Sequence, residues 1–153
     1  MTHRSTYAAL VFIGVLAAAQ LVRPGRVNPT IDATRTIGAQ PETPVGLAAV
    51  LDRACRDCHS NATVWPRYTH IAPASWLMAY AVSQGRRAVN FSEWTAYPPA
   101  QQRLLLAASC DDVMNSKMPG IYTLLHPEMR LSPRDVQVIC AAARQADAPG
   151  VAQ

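Results

Sequence analysis

Five consecutive residues, Cys55 to His59, carry the clearest chemistry in this sequence. They read Cys-Arg-Asp-Cys-His, so two thiols stand three positions apart and an imidazole follows the second directly. On one helical turn, residues at i, i+3 and i+4 share a face, which brings both thiols to one porphyrin edge and the imidazole to its iron. The pattern is typical of c-type haem attachment. We therefore predict that Cys55 and Cys58 bind one haem covalently and that His59 binds its iron.

Three other interpretations of the cysteine pair compete with haem attachment. A thioredoxin-like thiol pair needs a βαβ context, which the sequence lacks. A zinc site could add Cys110 and Cys140, but these two are far apart in the sequence and form no second close pair. A simple disulfide, or two buried thiols, is the plainest interpretation. For Cys110 and Cys140, the sequence favours a disulfide if the chain is exported to an oxidising compartment.

The second axial ligand of the iron is open among several sulfur and imidazole side chains. The preferred one is Met118, which stands before Pro119 in a loop after a predicted helix. Methionine and histidine together raise the potential of haem iron and suit electron transfer. His126 is the second choice. The remaining candidates are His70, Met78, Met114 and Met129.

Composition and charge limit the class of protein. The chain has 153 residues, half of them apolar and 16% charged, which indicates one folded domain and excludes a disordered chain. The formal charge is +4, but from Val27 onward eleven basic residues face ten acidic ones. A nearly neutral body has no nucleic-acid footprint, so we expect no nucleic-acid partner.

The N-terminus has the pattern of an export segment. His3 and Arg4 precede an apolar run from Tyr7 to Val22, which is short for a membrane span. We interpret residues 1–26 as a signal peptide or an uncleaved membrane anchor, and the Pro- and Gly-containing residues 27–44 as a linker. The expected location is the periplasm or the extracytoplasmic face of the cytoplasmic membrane.

The rest of the chain predicts an all-α domain over residues 45–146, followed by a tail at 147–153. No β-alternation persists, and apolar residues recur at helical spacing. Residues 60–73 are expected to form a loop, and Ser92 to cap a short turn through Trp94. About four short helices are predicted, at residues 45–58, at 74–84 with Gly85 as the stop, at 98–116, and from 133 after a cap at Ser132.

Several large or polar side chains are candidates for the haem pocket. Aromatic rings can form its dry wall, although ordinary core packing is an equal alternative for each. Arginine and asparagine side chains can neutralise the propionates, although such residues are more often solvated. The aromatic candidates are Trp65, Tyr68, Trp76 and Trp94, and the polar ones are Arg86, Arg87 and Asn90.

Three stretches together resemble the bacterial haem-binding domain family: CRDCHSNATVWPRYTHIAPASW, GRRAVNFSEW and KMPGIYTLLHPEMRLS. The similarity extends from about Leu47 to Ala141. Members of that family are small exported, often membrane-anchored, monohaem c-type cytochrome domains. The resemblance implies a cytochrome-like bundle around one covalent haem c, and it points to the same Met118–Pro119 pair for the second iron ligand.

The function expected from these observations is electron transfer without catalysis. A monohaem c-type cytochrome would exchange electrons with redox partner proteins through an exposed haem edge, tethered to the membrane if residues 1–26 remain. The alternative is a haem sensor or peroxidase-like enzyme, which needs a displaceable sixth ligand. A third possibility is a redox subunit of a larger membrane complex.

Overall fold

The computed structural model describes residues 2–147, and every regular element in that range is helical. The predicted all-α class is therefore confirmed. The predicted tail at 147–153 lies outside the described residues except for Asp147. The α-helices within the described range are α1 (Thr2–Ala19), α2 (Leu47–Ala54), α3 (Arg56–His59), α4 (Ala74–Ala88), α5 (Pro99–Met114) and α6 (Pro133–Asp147).

The connections contain short 3-10 turns at positions that the proline pattern marks as irregular. They lie at Ala33–Arg35, Ile37–Ala39, Arg67–His70, Phe91–Ala96, Gly120–Leu124 and Pro127–Met129.

Helices α5 and α6 form the scaffold, and α2 packs across α6. Their apolar residues meet at helical spacing, which buries one stripe of each helix. The core also includes the turn Phe91–Ala96 and one residue from the segment before α2. Its largest members are Ile37, Leu47, Leu51, Phe91, Trp94, Leu106 and Ile139. A disulfide between Cys110 and Cys140 joins α5 to α6, as predicted.

Local sequence signals fix the starts of two long helices. Pro99 occupies the first turn of α5, where the missing N–H costs nothing. Before α6, the backbone N–H of Ser132 donates to the Asp135 carboxylate at 2.7 Å, and the Asp135 N–H donates to the Ser132 hydroxyl at 3.2 Å. This reciprocal pair satisfies donors that the first turn would otherwise leave open, so the predicted cap is confirmed.

The structure corrects two predicted helix ends. The helix expected over 45–58 breaks at Cys55, whose φ of −123° separates α2 from α3. Helix α4 does not stop at Gly85 but continues to Ala88. Gly85 is glycine for another reason: a β-carbon there would lie 2.8 Å from the carbonyl carbon of Cys58 and 3.1 Å from its β-carbon. Only glycine lets α4 approach the Cys55–His59 turn so closely.

The predicted cap of the turn after α4 is also corrected. The turn Phe91–Ala96 is capped by Asn90, whose side-chain oxygen accepts the backbone N–H of Ser92 at 3.0 Å. Ser92 is instead buried, and its hydroxyl accepts the backbone N–H of Asn61 at 3.0 Å. The sequence offers two strong capping residues here, Asn90 and Ser92, which stand two positions apart, and the structure uses Asn90.

Residues 20–35, which we call the strap, lie against the domain and are not a detached linker. The Gln20 side chain pairs with the backbone of Ala72, accepting its N–H at 2.9 Å and donating to its carbonyl at 3.4 Å. Further along, Arg26 donates to the Thr69 carbonyl at 3.0 Å. Similar bonds join Asn28 to Thr63, Asn61 to Thr30 and Arg35 to Glu93.

Helix α1 precedes the strap and exposes its apolar side chains, Leu10, Val11, Phe12 and Ile13 among them. Within residues 2–147, no helix is both long enough and apolar enough to cross a membrane.

Candidate functional site

The Cys55–His59 turn brings both thiols and the imidazole together as the spacing predicts. The Cys55 carbonyl accepts the backbone N–H of His59 at 2.9 Å and that of Cys58 at 3.3 Å. These bonds close one helical turn, so the three side chains are presented from a single compact loop of backbone. Both cysteines are partly buried and carry no disulfide.

His59 is oriented by the strand-like segment that follows α4. Its Nδ1 lies 3.2 Å from the carbonyl oxygen of Val89. A carbonyl can only accept, so Nδ1 carries the proton and the Nε2 lone pair is left for a metal. Burial lowers the pKa of His59, partly offset by the backbone groups of Val89 and Gly85 and the charge of Asp112. The neutral imidazole is the form that binds iron.

The thiols are held protonated. Burial raises the pKa of Cys55 to about 12, with the Cys58 charge adding to the effect. Burial also raises the pKa of Cys58 to about 11, and the negative charge of Asp57 adds to this effect. Reactive redox thiols have lowered pKa values instead, and the described residues contain no β-strand to supply a thioredoxin-like context. The thiol-redox interpretation is therefore not supported.

The zinc interpretation also fails on geometry. Cys110 and Cys140 are bonded to each other, so they cannot join Cys55 and Cys58 as free thiolates. In the described part of the chain, no cluster of three or more His, Cys, Asp or Glu side chains suits a bare metal ion. A pair of cysteines with one adjacent histidine does suit a porphyrin held by two thioethers and one axial nitrogen.

A buried carboxylate fixes the loop that follows the attachment turn. The Asp57 side chain accepts the backbone N–H of Val64 at 3.1 Å, and its carbonyl accepts the Thr63 hydroxyl at 2.7 Å. Arg56 approaches the same carboxylate at 3.5 Å. Because these bonds hold both sides of residue 58, the Cys58 backbone has little freedom to move.

Met118 lies in the loop after α5, where the sequence places it. Its backbone N–H reaches the Asp112 carbonyl at 3.4 Å, and Asp112 is close enough to His59 to act on its pKa. The Met118 side chain is 47% exposed. Met78 and Met129 are instead buried in the interior.

His126, the second choice for the iron ligand, has both ring nitrogens engaged. Its Nε2 lies 2.5 Å from the Tyr68 hydroxyl and its Nδ1 lies 2.8 Å from the Glu128 carboxylate. Neither nitrogen is free for a metal in this arrangement. His70 is exposed on the turn Arg67–His70.

Three of the predicted pocket residues bind the strap. Arg86 donates to the Val27 carbonyl at 2.9 Å and to the Asn28 side chain at 2.9 Å, and also to the Ser60 carbonyl at 2.7 Å. The indole N–H of Trp76 donates to the carbonyl of Val22, and that of Trp65 to the side chain of Asn28. Their proposed contact with haem stays a prediction.

Of the other pocket candidates, Trp94 is buried in the core, and Asn90 and Tyr68 are partly exposed. Trp94 is 4% exposed and packs between Phe91 and Tyr97, with ring centroids 6.3 and 5.9 Å away. The Asn90 side chain donates to the Asn61 side-chain oxygen at 2.8 Å as well as capping the turn. Tyr68 is partly buried, and its hydroxyl lies 2.5 Å from Nε2 of His126.

A groove of about 640 Å³ lies between α5 and α6, on another part of the molecule. It is lined by the disulfide, by Leu104, and by Arg103 and Arg144. None of the predicted haem ligands borders it, so the case for haem rests on the donor set at Cys55–His59 and not on a preformed cavity.

A sequence model described as a haem-binding domain matches residues 14–145. The chain belongs to this family. The matched region covers the strap, the attachment turn and the Met118 loop, and it begins inside α1. No curated protein and no solved structure shows a significant match. The protein is thus a haem-binding domain, and the chemistry of the cysteine–histidine turn fits that cofactor.

Sequence reasoning missed two features of this haem-binding domain. The first is the close approach of Gly85 to Cys58. In the sequence Gly85 predicts a helix stop, although a glycine inside a helical pattern also indicates close packing. The Tyr68–His126–Glu128 chain joins residues 58 positions apart, and no local spacing announces such a contact.

Proposed function

We propose that this haem-binding domain is a monohaem c-type cytochrome that carries electrons. The observation that carries the proposal is the Cys55–His59 turn, where two protonated thiols stand beside an imidazole whose Nδ1 is tied to the Val89 carbonyl. Bound haem supplies a one-electron iron couple.

The chain's own residues prepare the covalent link and the first iron ligand. Cys55 and Cys58 would each hold the haem through a thioether, formed by adding the S–H bond of the thiol across one vinyl group. The hydrogen bond from His59 to Val89 then sets the plane of the imidazole and makes Nε2 a better donor. Phe91, with its ring centroid 6.0 Å from that of His59, keeps water from the imidazole.

We assign the second ligand to Met118. The Met118 backbone N–H reaches the carbonyl of Asp112 in the last turn of α5, and the rival His126 is engaged on both nitrogens. A thioether stabilises ferrous iron and blocks the site that small ligands would take, which suits a carrier. Electrons would then pass through an exposed haem edge to partner proteins, with no substrate bound.

We place the domain outside the cytoplasm. The Cys110–Cys140 disulfide supports an oxidising compartment, and residues 1–26 would serve as the export signal or as the tether to the membrane. A C-terminal fusion to a reporter active only in the periplasm should be active, and activity of a cytoplasm-only reporter would contradict this location.

A second candidate function is a haem sensor or enzyme with a displaceable sixth ligand. The observation in its favour is the exposure of Met118, nearly half of whose surface faces solvent. A rapid reaction of the unmodified ferrous protein with carbon monoxide would favour this function over electron transfer.

The attachment is tested with paired double variants. Replacing Cys55 and Cys58 by alanine should abolish haem that survives denaturing electrophoresis. The matched control replaces Cys110 and Cys140 by alanine, which removes the same number of sulfurs and should keep covalent haem. Haem retained in the first variant would refute the attachment.

The ligand assignment is tested by spectroscopy of the haem-loaded chain. Met118→Ala should remove the ferric thioether–iron charge-transfer band, lower the reduction potential and admit carbon monoxide. Met114→Ala is the matched control, because Met114 is also an exposed methionine and stands four residues earlier, at the end of α5. The assignment is wrong if Met114→Ala loses the band and Met118→Ala keeps it.

A further inference from the structure

A chain of hydrogen bonds runs from Tyr68 through His126 to Glu128. The hydroxyl of Tyr68 lies 2.5 Å from Nε2 of His126, and Nδ1 of the same ring lies 2.8 Å from the Glu128 carboxylate. The His126 side chain is only 14% exposed, whereas Glu128 reaches solvent. The two rings also pack at a centroid distance of 5.8 Å.

The direction of this chain follows from the groups in it. A carboxylate only accepts, so Nδ1 of His126 carries a proton and donates it to Glu128. With a neutral imidazole, Nε2 is the acceptor and the Tyr68 hydroxyl is its donor. Burial raises the pKa of Tyr68, and a backbone hydrogen bond, followed by the bond from His126, lowers the pKa of Glu128.

The chain fastens the loop that carries Met118. The backbone N–H of His126 donates to the Tyr122 carbonyl at 2.9 Å, which closes the end of the turn Gly120–Leu124. Burial raises the pKa of Tyr122 to about 12, and the charge of Cys58 adds to the effect. The far end of the loop is therefore fixed at His126, next to its bond with Tyr68.

Few side-chain bonds hold this loop to the first half of the molecule, and Arg53 anchors the residues just beyond it by donating to the carbonyls of Glu128 and Arg130 at 2.7 and 2.9 Å. Among the described residues, the Tyr68–His126 bond is the only side-chain hydrogen bond from residues 118–126 to any residue before α5. The turn also exposes its large apolar side chains, Ile121, Leu124 and Leu125. A loop with few buried contacts depends strongly on each fastening it has.

We propose that the Tyr68–His126–Glu128 chain is a positioning device that keeps the Met118 loop closed, so that the Met118 sulfur stays on the haem iron. This inference rests on the proposed role of Met118 as the second ligand. His126, expected from the sequence as a rival ligand, thus acts on the iron only through the loop.

Three variants of the haem-loaded full chain test the device. Tyr68→Phe removes the hydroxyl and keeps the ring, and His126→Gln removes the imidazole. Both should weaken the ferric thioether–iron band and speed carbon monoxide binding to the ferrous form by roughly fivefold to tenfold, the effect of losing one hydrogen bond on loop opening. Glu128→Gln keeps an acceptor for Nδ1 and should give a smaller change. All three should also speed amide hydrogen exchange across residues 118–126.

Matched controls separate the device from general destabilisation. Tyr80→Phe alters an exposed tyrosine on α4, and His70→Gln alters an exposed histidine near Tyr68. Both should behave like the unmodified protein in all three measurements.

The outcomes distinguish this inference from the ligand assignment. If Met118→Ala loses the band while Tyr68→Phe and His126→Gln match their controls in band, carbon monoxide rate and exchange, the positioning device is refuted and the ligand stands. If Met118→Ala keeps the band, the ligand assignment is refuted, and so is the proposal that the device keeps the Met118 sulfur on the iron. If Tyr68→Phe speeds exchange but leaves the band intact, the chain holds the loop without holding the ligand, which also overturns the proposal.

Discussion

Replacing Gly85 by alanine has two opposing effects on stability: it favours the helical backbone of α4, and it crowds the contact of α4 with Cys58. Inside helix α4, alanine is favoured over glycine by about 1 kcal/mol. The new β-carbon, however, would lie 2.8 Å from the Cys58 carbonyl carbon, closer than ordinary van der Waals contact allows. Overpacking of this kind costs about 1–3 kcal/mol. The neighbour is backbone held through Asp57 and Thr63, so we expect the upper end, and a net loss of about 2 kcal/mol.

The assay is chemical unfolding of the haem-loaded protein, with the midpoint shift read at an unchanged denaturant slope. Ser83→Ala on the exposed side of α4 is the control and should change stability by no more than about 0.5 kcal/mol. The visible spectrum of Gly85→Ala should also change, since Gly85 contacts the turn that carries the iron ligand. A variant as stable as Ser83→Ala, with an unaltered spectrum, would refute the close approach as the reason for glycine.

Three further predictions concern stability. Replacing Cys110 and Cys140 by alanine should lower the free energy of unfolding by about 3–4 kcal/mol, the loop-closure value for a cross-link of this span, as measured by denaturant titration without reductant. Asp135 has a lowered pKa because of its bonds to Ser132, so its contribution is present above 3.8, the pKa expected when unfolded, and is lost as the pH falls through the lower folded value. The Asp135→Asn variant should therefore show a flatter fall of stability in acid. Arg86→Lys should speed hydrogen exchange in the strap, because a lysine cannot reach its several acceptors together, and unchanged exchange would contradict the role given to Arg86.

Periodicity and caps predicted much of the fold because those signals are local. Pro99 marks the start of α5, and Ser132 with Asp135 marks that of α6. Gly85 was misjudged because the same residue serves both helix ends and close packing, and only the position of Cys58 distinguishes them. The contacts of the strap with the domain could not be predicted. Proline and polar residues indicate irregular backbone but do not indicate which residues that backbone contacts.

The candidate site divides in the same way. The Cys55–His59 turn is predictable because its chemistry lies within five consecutive residues. For Arg86, a bond to a haem propionate stays a prediction, and the acceptors that the structure shows for it are carbonyl and hydroxyl oxygens in the strap and in the loop after His59. The sequence shows which kinds of group a charged side chain can bind, but the partner that it binds depends on the tertiary structure.

The strap has a consequence for the order in which the chain assembles. Its bonds join residues 31 to 59 positions apart, whereas the helices form from neighbours along the chain. Distant contacts bear a larger closure entropy, so the helices can form before the strap closes. Cys55 and Cys58 both lie inside the loop that the strap closes. We therefore expect the chain around its two thiols to stay open until the strap closes.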